Sequence, residues 1–126
     1  SFLIHFNIFS NDLAETYFYL YRLTHLEQYR EWAWELAQAI NLHTKVVESG
    51  GFSSLKTVNT VPPTFTDHQP AHFISGTLKF LYLTFADEDY VLPLKKWIFN
   101  LAGHPLPFAA PVSGTLMKCA NNKILL

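Results

Sequence analysis

Apolar residues recur at helical spacing in three stretches of this chain. In the first, Leu13, Tyr17, Leu20 and Tyr21 share one face of the segment 13–24, and Asn11 and Asp12 ahead of it are residues whose side-chain oxygens cap helix N-termini. A second helix is predicted over Glu27–His43, with an apolar stripe of Tyr29, Trp32, Ala33, Leu36, Ala37 and Ile40. The short break at 25–27 predicts that these two helices form an antiparallel pair. Trp32 belongs to the stripe and is expected in the core, whereas Trp34 faces a different side. The third stretch runs from 70 or 71 to Phe85, and Phe73, Ile74, Leu78, Phe80, Leu81, Tyr82, Leu83 and Phe85 make it apolar around most of its circumference. Such a helix is expected to be buried.

Between and after the helices the pattern shortens. Glu48–Ser54 holds two Gly and three Ser and reads as a turn. Leu55–Val61 alternates apolar and polar residues, as a short strand or extended loop does, until Pro62 and Pro63 end it. Asp87–Asp89 predicts an acidic turn. Trp97–Phe99 and Leu106–Phe108 flank a Gly103-His104-Pro105 turn and predict a terminal β-hairpin, which Pro105 and Pro107 confine to a sheet edge. The apolar run 1–9 is too short to span a bilayer and lacks a basic leader, so it reads as a buried extended segment. From Ala109 onward no period is visible.

Composition narrows the function classes. The 126 residues are 49% hydrophobic and 15% charged, which suits one folded domain. An aromatic share of 16% is high and points to large buried surfaces or to a surface that more protein covers. Net charge is −1, with Lys and Arg scattered, so a nucleic-acid partner is not expected. The single Cys119 cannot form an internal disulfide, and no N-x-S/T sequon is present. Histidines lack ligand spacing for zinc, and G-x-S-x-G, P-loop, GxGxxG and C-x-x-C motifs are absent.

The segment 97–107, WIFNLAGHPLP, resembles the N-T-E-A-H-P segment of class I α-1,2-mannosidases (glycoside hydrolase family 47). Other blocks match in the same order. ETYFYLYRLT (15–24) is similar to the family's E-S-x-x-Y-L-Y-R-x-T helix, and YREWAWELAQAI (29–40) to the helix that follows it. GFSSLKTV (51–58) resembles the next turn and strand, and TLKFLYLTF (77–85) resembles T-L-K-Y-L-Y-L-L-F. The resemblance covers about residues 10–108 and leaves 109–126 as an uncertain tail. It implies a mainly α fold, the C-terminal portion of an (α/α)7 barrel, with helical hairpins followed by a short β-hairpin. The whole of 1–126 is thus expected to be part of a catalytic domain, and the remainder of the barrel is an expected partner, able to cover Trp34.

Family enzymes trim α1,2-linked mannose from high-mannose N-glycans by calcium-dependent inverting hydrolysis, which requires one carboxylic acid and one carboxylate base. The resemblance places the acid upstream of this chain. The proposed base belongs to an R-P-E-x-x-E-S motif that here reads Ser10-Asn11-Asp12-Leu13-Ala14-Glu15-Thr16. Asp12 therefore stands at the catalytic base position, one methylene shorter than Glu, and a displacement of about 1 Å can cost on the order of 10²-fold in rate. A helix cap explains Asp12 equally well. Glu15 matches outright and is a candidate substrate-binding residue. The family's Q-E-S-F-F-L-A-E-T becomes Gln69 to Thr77, with Pro70 and Gly76 in place of both glutamates, and His72 and Phe73 at the aromatic pair that packs on the sugar. Gly76 costs a helix about 1 kcal/mol relative to Ala. At the calcium-ligand threonine stands Leu101, and at the neighbouring glutamate Ala102, so no metal ligand is expected in this chain. His104 keeps the family's register and is read as structural.

Three functions follow from these residues. One is a mannosidase whose remaining parts lie elsewhere, with this chain inactive alone. Another is a non-catalytic binder of high-mannose glycans or glycoproteins in secretory-pathway quality control. A third is a degenerate copy, against which stands the clustering of changes at site positions. The resemblance implies the lumen of the endoplasmic reticulum or Golgi, with any signal or anchor upstream.

Overall fold

The computed structural model describes residues 11–48, 50–57, 62 and 64–107. The expectations for 1–9 and for 109–126 lie outside these. The first helix, α1 (Asn11–Thr24), starts two residues before the periodic stretch. Asp12 consequently sits inside the first turn rather than ahead of it, where a carboxylate meets the positive end of the helix dipole. The helix closes at His25, whose φ of +56° is left-handed and whose N–H donates to the Tyr21 carbonyl at 2.7 Å. This is a conformation that glycine normally supplies at a helix end.

After that turn, α2 (Glu27–His43) covers the span its period predicts and packs back on α1. Thr44 terminates it, with both its N–H (3.0 Å) and its hydroxyl (2.6 Å) donating to the Ile40 carbonyl. Three two-stranded antiparallel pairs follow among the described residues. β1 (Lys45–Val46) pairs with β2 (Gly51–Phe52), and β3 (Leu55–Thr57) pairs with β4 (Thr64–Phe65) across a register shift. Only the first three residues of the strand expected over Leu55–Val61 are described as strand, and 58–61 fall outside the described residues. β5 (Trp97–Phe99) pairs with β6 (Pro105–Pro107) in the terminal hairpin, Phe99 opposite Pro105 and Trp97 opposite Pro107.

The third helical stretch departs from expectation in two ways. Phe73–Leu78 is π-helical and passes into α3 (Lys79–Phe85). Side-chain periodicity does not sense one widened turn, because Phe73, Thr77, Phe80, Leu81 and Thr84 still fall on one buried face. The helix is also not buried all round. Ile74 and Tyr82 are exposed, and Phe85 is partly so, with Trp34 6.0 Å away edge-on and the Arg30 guanidinium 5.4 Å over its ring.

The core joins one face of each helix: Ala14 and Phe18 from α1, Ala33, Leu36 and Ile40 from α2, and Phe73, Phe80, Leu81 and Leu83 from the third stretch. Its centre is aromatic. The Phe18 ring lies 5.4 Å from Phe80 and 5.7 Å from Phe99, which in turn is 5.2 Å from Phe80, so the terminal hairpin is keyed into both helices. Trp32 is not part of this core. It is 43% exposed, its ring lying between Tyr17 (5.9 Å) and Tyr29 (5.5 Å), because the small Ala33 takes the contact with α1 and the indole is displaced to the rim.

Arg22 is the one buried cation among the described residues. Its guanidinium donates to the Leu83 carbonyl at 2.7 Å and the Ala86 carbonyl at 3.3 Å, satisfying the open end of α3. It also lies 5.4 Å over the Phe18 ring, with Glu88 4.0 Å away on the solvent side. Hydrogen bonds to a charged donor are worth about 1.5–3 kcal/mol, which sets the scale of this link between α1 and α3.

Phe18→Ala is expected to cost about 3–5 kcal/mol, the usual range for a buried aromatic truncated to alanine. Urea unfolding measures it. A loss below about 1 kcal/mol would show that the aromatic centre does not hold the helices.

Candidate functional site

The first turn of α1, the π-helical segment and the turn 100–104 converge at one end of the fold. The turn is built from its own residues. Gly103 adopts φ +74° and its N–H donates to the Asn100 carbonyl at 2.8 Å. The Asn100 N–H donates to the His104 carbonyl at 3.1 Å, while the Asn100 side-chain oxygen accepts from the His104 N–H at 2.8 Å. Asn100 and His104 therefore brace the loop, which is a structural role for both. A Cβ on Gly103 would stand 2.9 Å from the Ser75 carbonyl oxygen and 3.2 Å from Lys79 Nζ. Only glycine lets the turn approach the helix this closely.

Lys79 fixes the contact from the other side, because its ammonium donates to the Gly103 carbonyl. Glu15 is its charged neighbour on α1. Burial, then the nearby Asp12 charge, pushes the Glu15 carboxyl above the usual carboxylate range, and Lys79 opposes them. Burial likewise draws Lys79 down, with Glu15 opposing. Tyr19, one turn along α1 from Glu15, is pushed up by burial and then by the Glu15 charge, against a hydrogen bond with the Phe99 backbone. Asp12 and Glu15 are thus brought into electrostatic contact, and Glu15 with Lys79, beside the braced turn.

The other expected site residues lie apart from that group. His72 is exposed just before the π-helical segment. Phe73 is buried, its ring 5.3 Å from Phe52, so a stacking role would require Phe52 to move. Leu101 projects from the tip of the turn, 91% exposed, beside the exposed Ala102. A calcium ion takes six to eight oxygen ligands, with carboxylates prominent among them, and these two side chains supply none. Among the described residues no group of three or more His, Cys, Asp or Glu is placed to hold a metal ion. The donor set at the turn does not fit calcium.

A shallow cleft of about 300 Å³ lies at the far end of α1, lined by Arg22, His25, Glu88 and Lys95 among others. It is remote from Asp12 and Glu15, and its mixed charges converge on no single chemistry. Sequence reasoning did not single out Lys79, although it is the sole charged residue in the apolar stretch 73–85 and that isolation was a usable signal. Tyr19 gave no such signal.

Residues 11–108 match the sequence pattern of glycosyl hydrolase family 47. The chain belongs to that family. It is 48% identical over 96 residues to pig mannosyl-oligosaccharide 1,2-alpha-mannosidase IA, covering 76% of this chain and 14% of that protein. It is 46% identical over 105 residues to human mannosyl-oligosaccharide 1,2-alpha-mannosidase IB, covering 83% and 16%. The mouse endoplasmic reticulum mannosyl-oligosaccharide 1,2-alpha-mannosidase is 42% identical over 106 residues, again covering 83% and 16%. The chain therefore spans about one-sixth of the length of these relatives. A mainly helical fold with short antiparallel strand pairs is consistent with a part of a helical barrel of family 47.

Two outcomes test this geometry. Gly103→Ala combines a positive φ with a clash against backbone and is expected to destabilise by about 1–3 kcal/mol, read by urea unfolding; a neutral effect would mean that the turn does not approach the helix. For Glu15 the folded pKa is raised, so its contribution is fully present below the unfolded value and is lost as pH rises through the folded one. Glu15→Gln should accordingly melt at or above wild type at neutral pH, with the gap closing in acid. A gap that opens as pH falls contradicts the assignment.

Proposed function

We propose that this chain is a glycan-recognising part of a family 47 barrel directed at high-mannose N-glycans, and that it hydrolyses no α1,2-linked mannose by itself. The carrying observation is the turn 100–104: it has a braced backbone frame and an anchor on the helix, while Leu101 and Ala102 at its tip offer neither a hydroxyl nor a carboxylate. The names of the relatives, mannosyl-oligosaccharide 1,2-alpha-mannosidases, support the glycan class. One of those names also places its bearer in the endoplasmic reticulum, which supports a secretory-pathway lumen, endoplasmic reticulum or Golgi, for this chain.

Inverting hydrolysis needs a proton donor on one face of the sugar and a base that activates water on the other. Asp12, exposed in the first turn of α1, is the residue of this chain that would serve as base, and its reach is one methylene short. Glu15, part-buried between Asp12 and Lys79, is suited to hydrogen-bond a sugar hydroxyl, in company with His72 at the surface. Phe73 would stack on a sugar ring once uncovered by Phe52. The acid, and any calcium ligands, would come from the rest of the barrel, the proposed partner of this chain. Domain assignment follows the same logic: 1–126 is read as part of one catalytic-type domain, with 109–126 as its tail.

The glycan-binding reading, a non-catalytic family member acting on glycoproteins in quality control, is favoured by the grouping of Asp12, Glu15 and Lys79 beside a turn whose tip carries no polar side chain. The test is an assay of the full protein with calcium and a mannobiose or high-mannose glycan, paired with calorimetric titration of the same glycan. Each lost acid or base costs about 10²- to 10⁴-fold, so turnover is expected at background and binding is expected to be measurable. Released mannose overturns the catalytic half of the proposal, and absence of binding by the intact barrel overturns the recognition half.

A further inference from the structure

The turn 100–104 raises a question of its own: what holds it in place when its tip carries leucine and alanine. Two-stranded hairpins are marginal in water without something to pack on. This one has Phe99 in the aromatic centre at the end of β5, and beyond it Asn100, Leu101 and Ala102 are exposed while Gly103 is buried beside Phe80 and the helix. The hydrogen bond that ties the turn to the helix is made at Gly103. Lys79 donates to the Gly103 carbonyl across a contact that the absent Cβ of Gly103 makes possible, with the Ser75 carbonyl on the same side. Glu15, on α1, supplies the balancing negative charge.

The pattern of retained and replaced residues runs along this contact. Lys79, Gly76 and Leu101 all fall in blocks that resemble the family wording, yet the lysine stays as T-L-K while the threonine at 101 does not. Asn100 and His104, which brace the loop, also stay. We propose that Lys79 is the positioning cation of turn 100–104, so that in this chain the turn keeps its shape without a divalent cation. The ammonium reaches the loop from beneath, through the Gly103 carbonyl, rather than from the tip where Leu101 stands exposed. A fixed ammonium suits this task because it is a compact cation on a flexible stem, aimed at a single carbonyl.

Amide hydrogen exchange on the full, unliganded protein tests this, in calcium chloride and in EGTA. Because no glycan is present, the result is independent of whether the site recognises sugar. Wild-type amides of Gly103 and His104 are expected to exchange at rates within about twofold of each other in the two buffers. In Lys79→Met they should exchange about tenfold faster in both, while the Leu36 and Ile40 amides in α2 keep their protection, and Lys79→Arg should recover most of the loss. Wild-type turn amides that slow tenfold in calcium overturn the proposal, and so does a folded Lys79→Met with wild-type turn exchange. Where Lys79→Met also loses protection in α2, the wild-type ammonium itself decides. A ¹⁵N–¹H signal from Lys79 Nζ that exchanges more slowly than those of the exposed Lys95 and Lys96 supports the anchor, and one that exchanges as fast refutes it.

Discussion

The meeting of Phe18, Phe80 and Phe99 is the contact on which the rest of this structure depends. It joins three elements that are distant along the chain, and each ring sits 5.2–5.7 Å from the other two. Edge-on and tilted pairs of this kind add about 0.5–1.5 kcal/mol each beyond the area they bury. Phe99 is the residue immediately before Asn100, so this hydrophobic contact brings the braced turn up to α1, where Lys79 meets the Gly103 carbonyl. Arg22 lies over the Phe18 ring and closes the end of α3, which ties the polar ending of one helix to the same centre.

This arrangement separates holding from acting. Ser10, Pro70, Gly76, Leu101 and Ala102 differ from the family wording in the chemistry they offer; of the three rings only Phe80 differs from it, standing where the wording has tyrosine and keeping the ring, and neither Leu101 nor Ala102 is buried. Exchanging them alters what the surface can bind or protonate, while the aromatic centre still locates the backbone. A loop can therefore carry leucine and alanine at its tip, where the family wording has a hydroxyl and a carboxylate, and keep its backbone frame. Glu15 and Lys79 belong to both sides of this division, since they are charged, part-buried and placed between α1 and the turn.

Much of the fold was legible in the sequence for a simple reason: strong apolar periods report which face is buried. The span of α2 follows from Tyr29 to Ile40, and the terminal hairpin from two apolar triplets about a Gly-His-Pro turn. Failures came where period is uninformative. Hydrophobicity did not distinguish Trp32, displaced to the rim, from Ala33, which occupies the contact, because small residues decide how closely helices approach. The π-helical turn leaves the apolar spacing unchanged and was invisible for that reason. At the site, resemblance pointed to Asp12, Glu15 and the turn, while burial of Phe73 under Phe52 and the reach of Lys79 to Gly103 are tertiary facts that no spacing encodes.

The prolines of β6 carry a further meaning for how such a chain behaves among its own kind. Of its three residues only Leu106 has a backbone N–H, since Pro105 and Pro107 have none to give. A row of unpaired amides along an edge is what recruits a foreign strand, and here that row is reduced to a single donor. The outer edge of β6 therefore offers almost no template for another chain to extend, so exposed Leu106 can sit there without inviting cross-β growth.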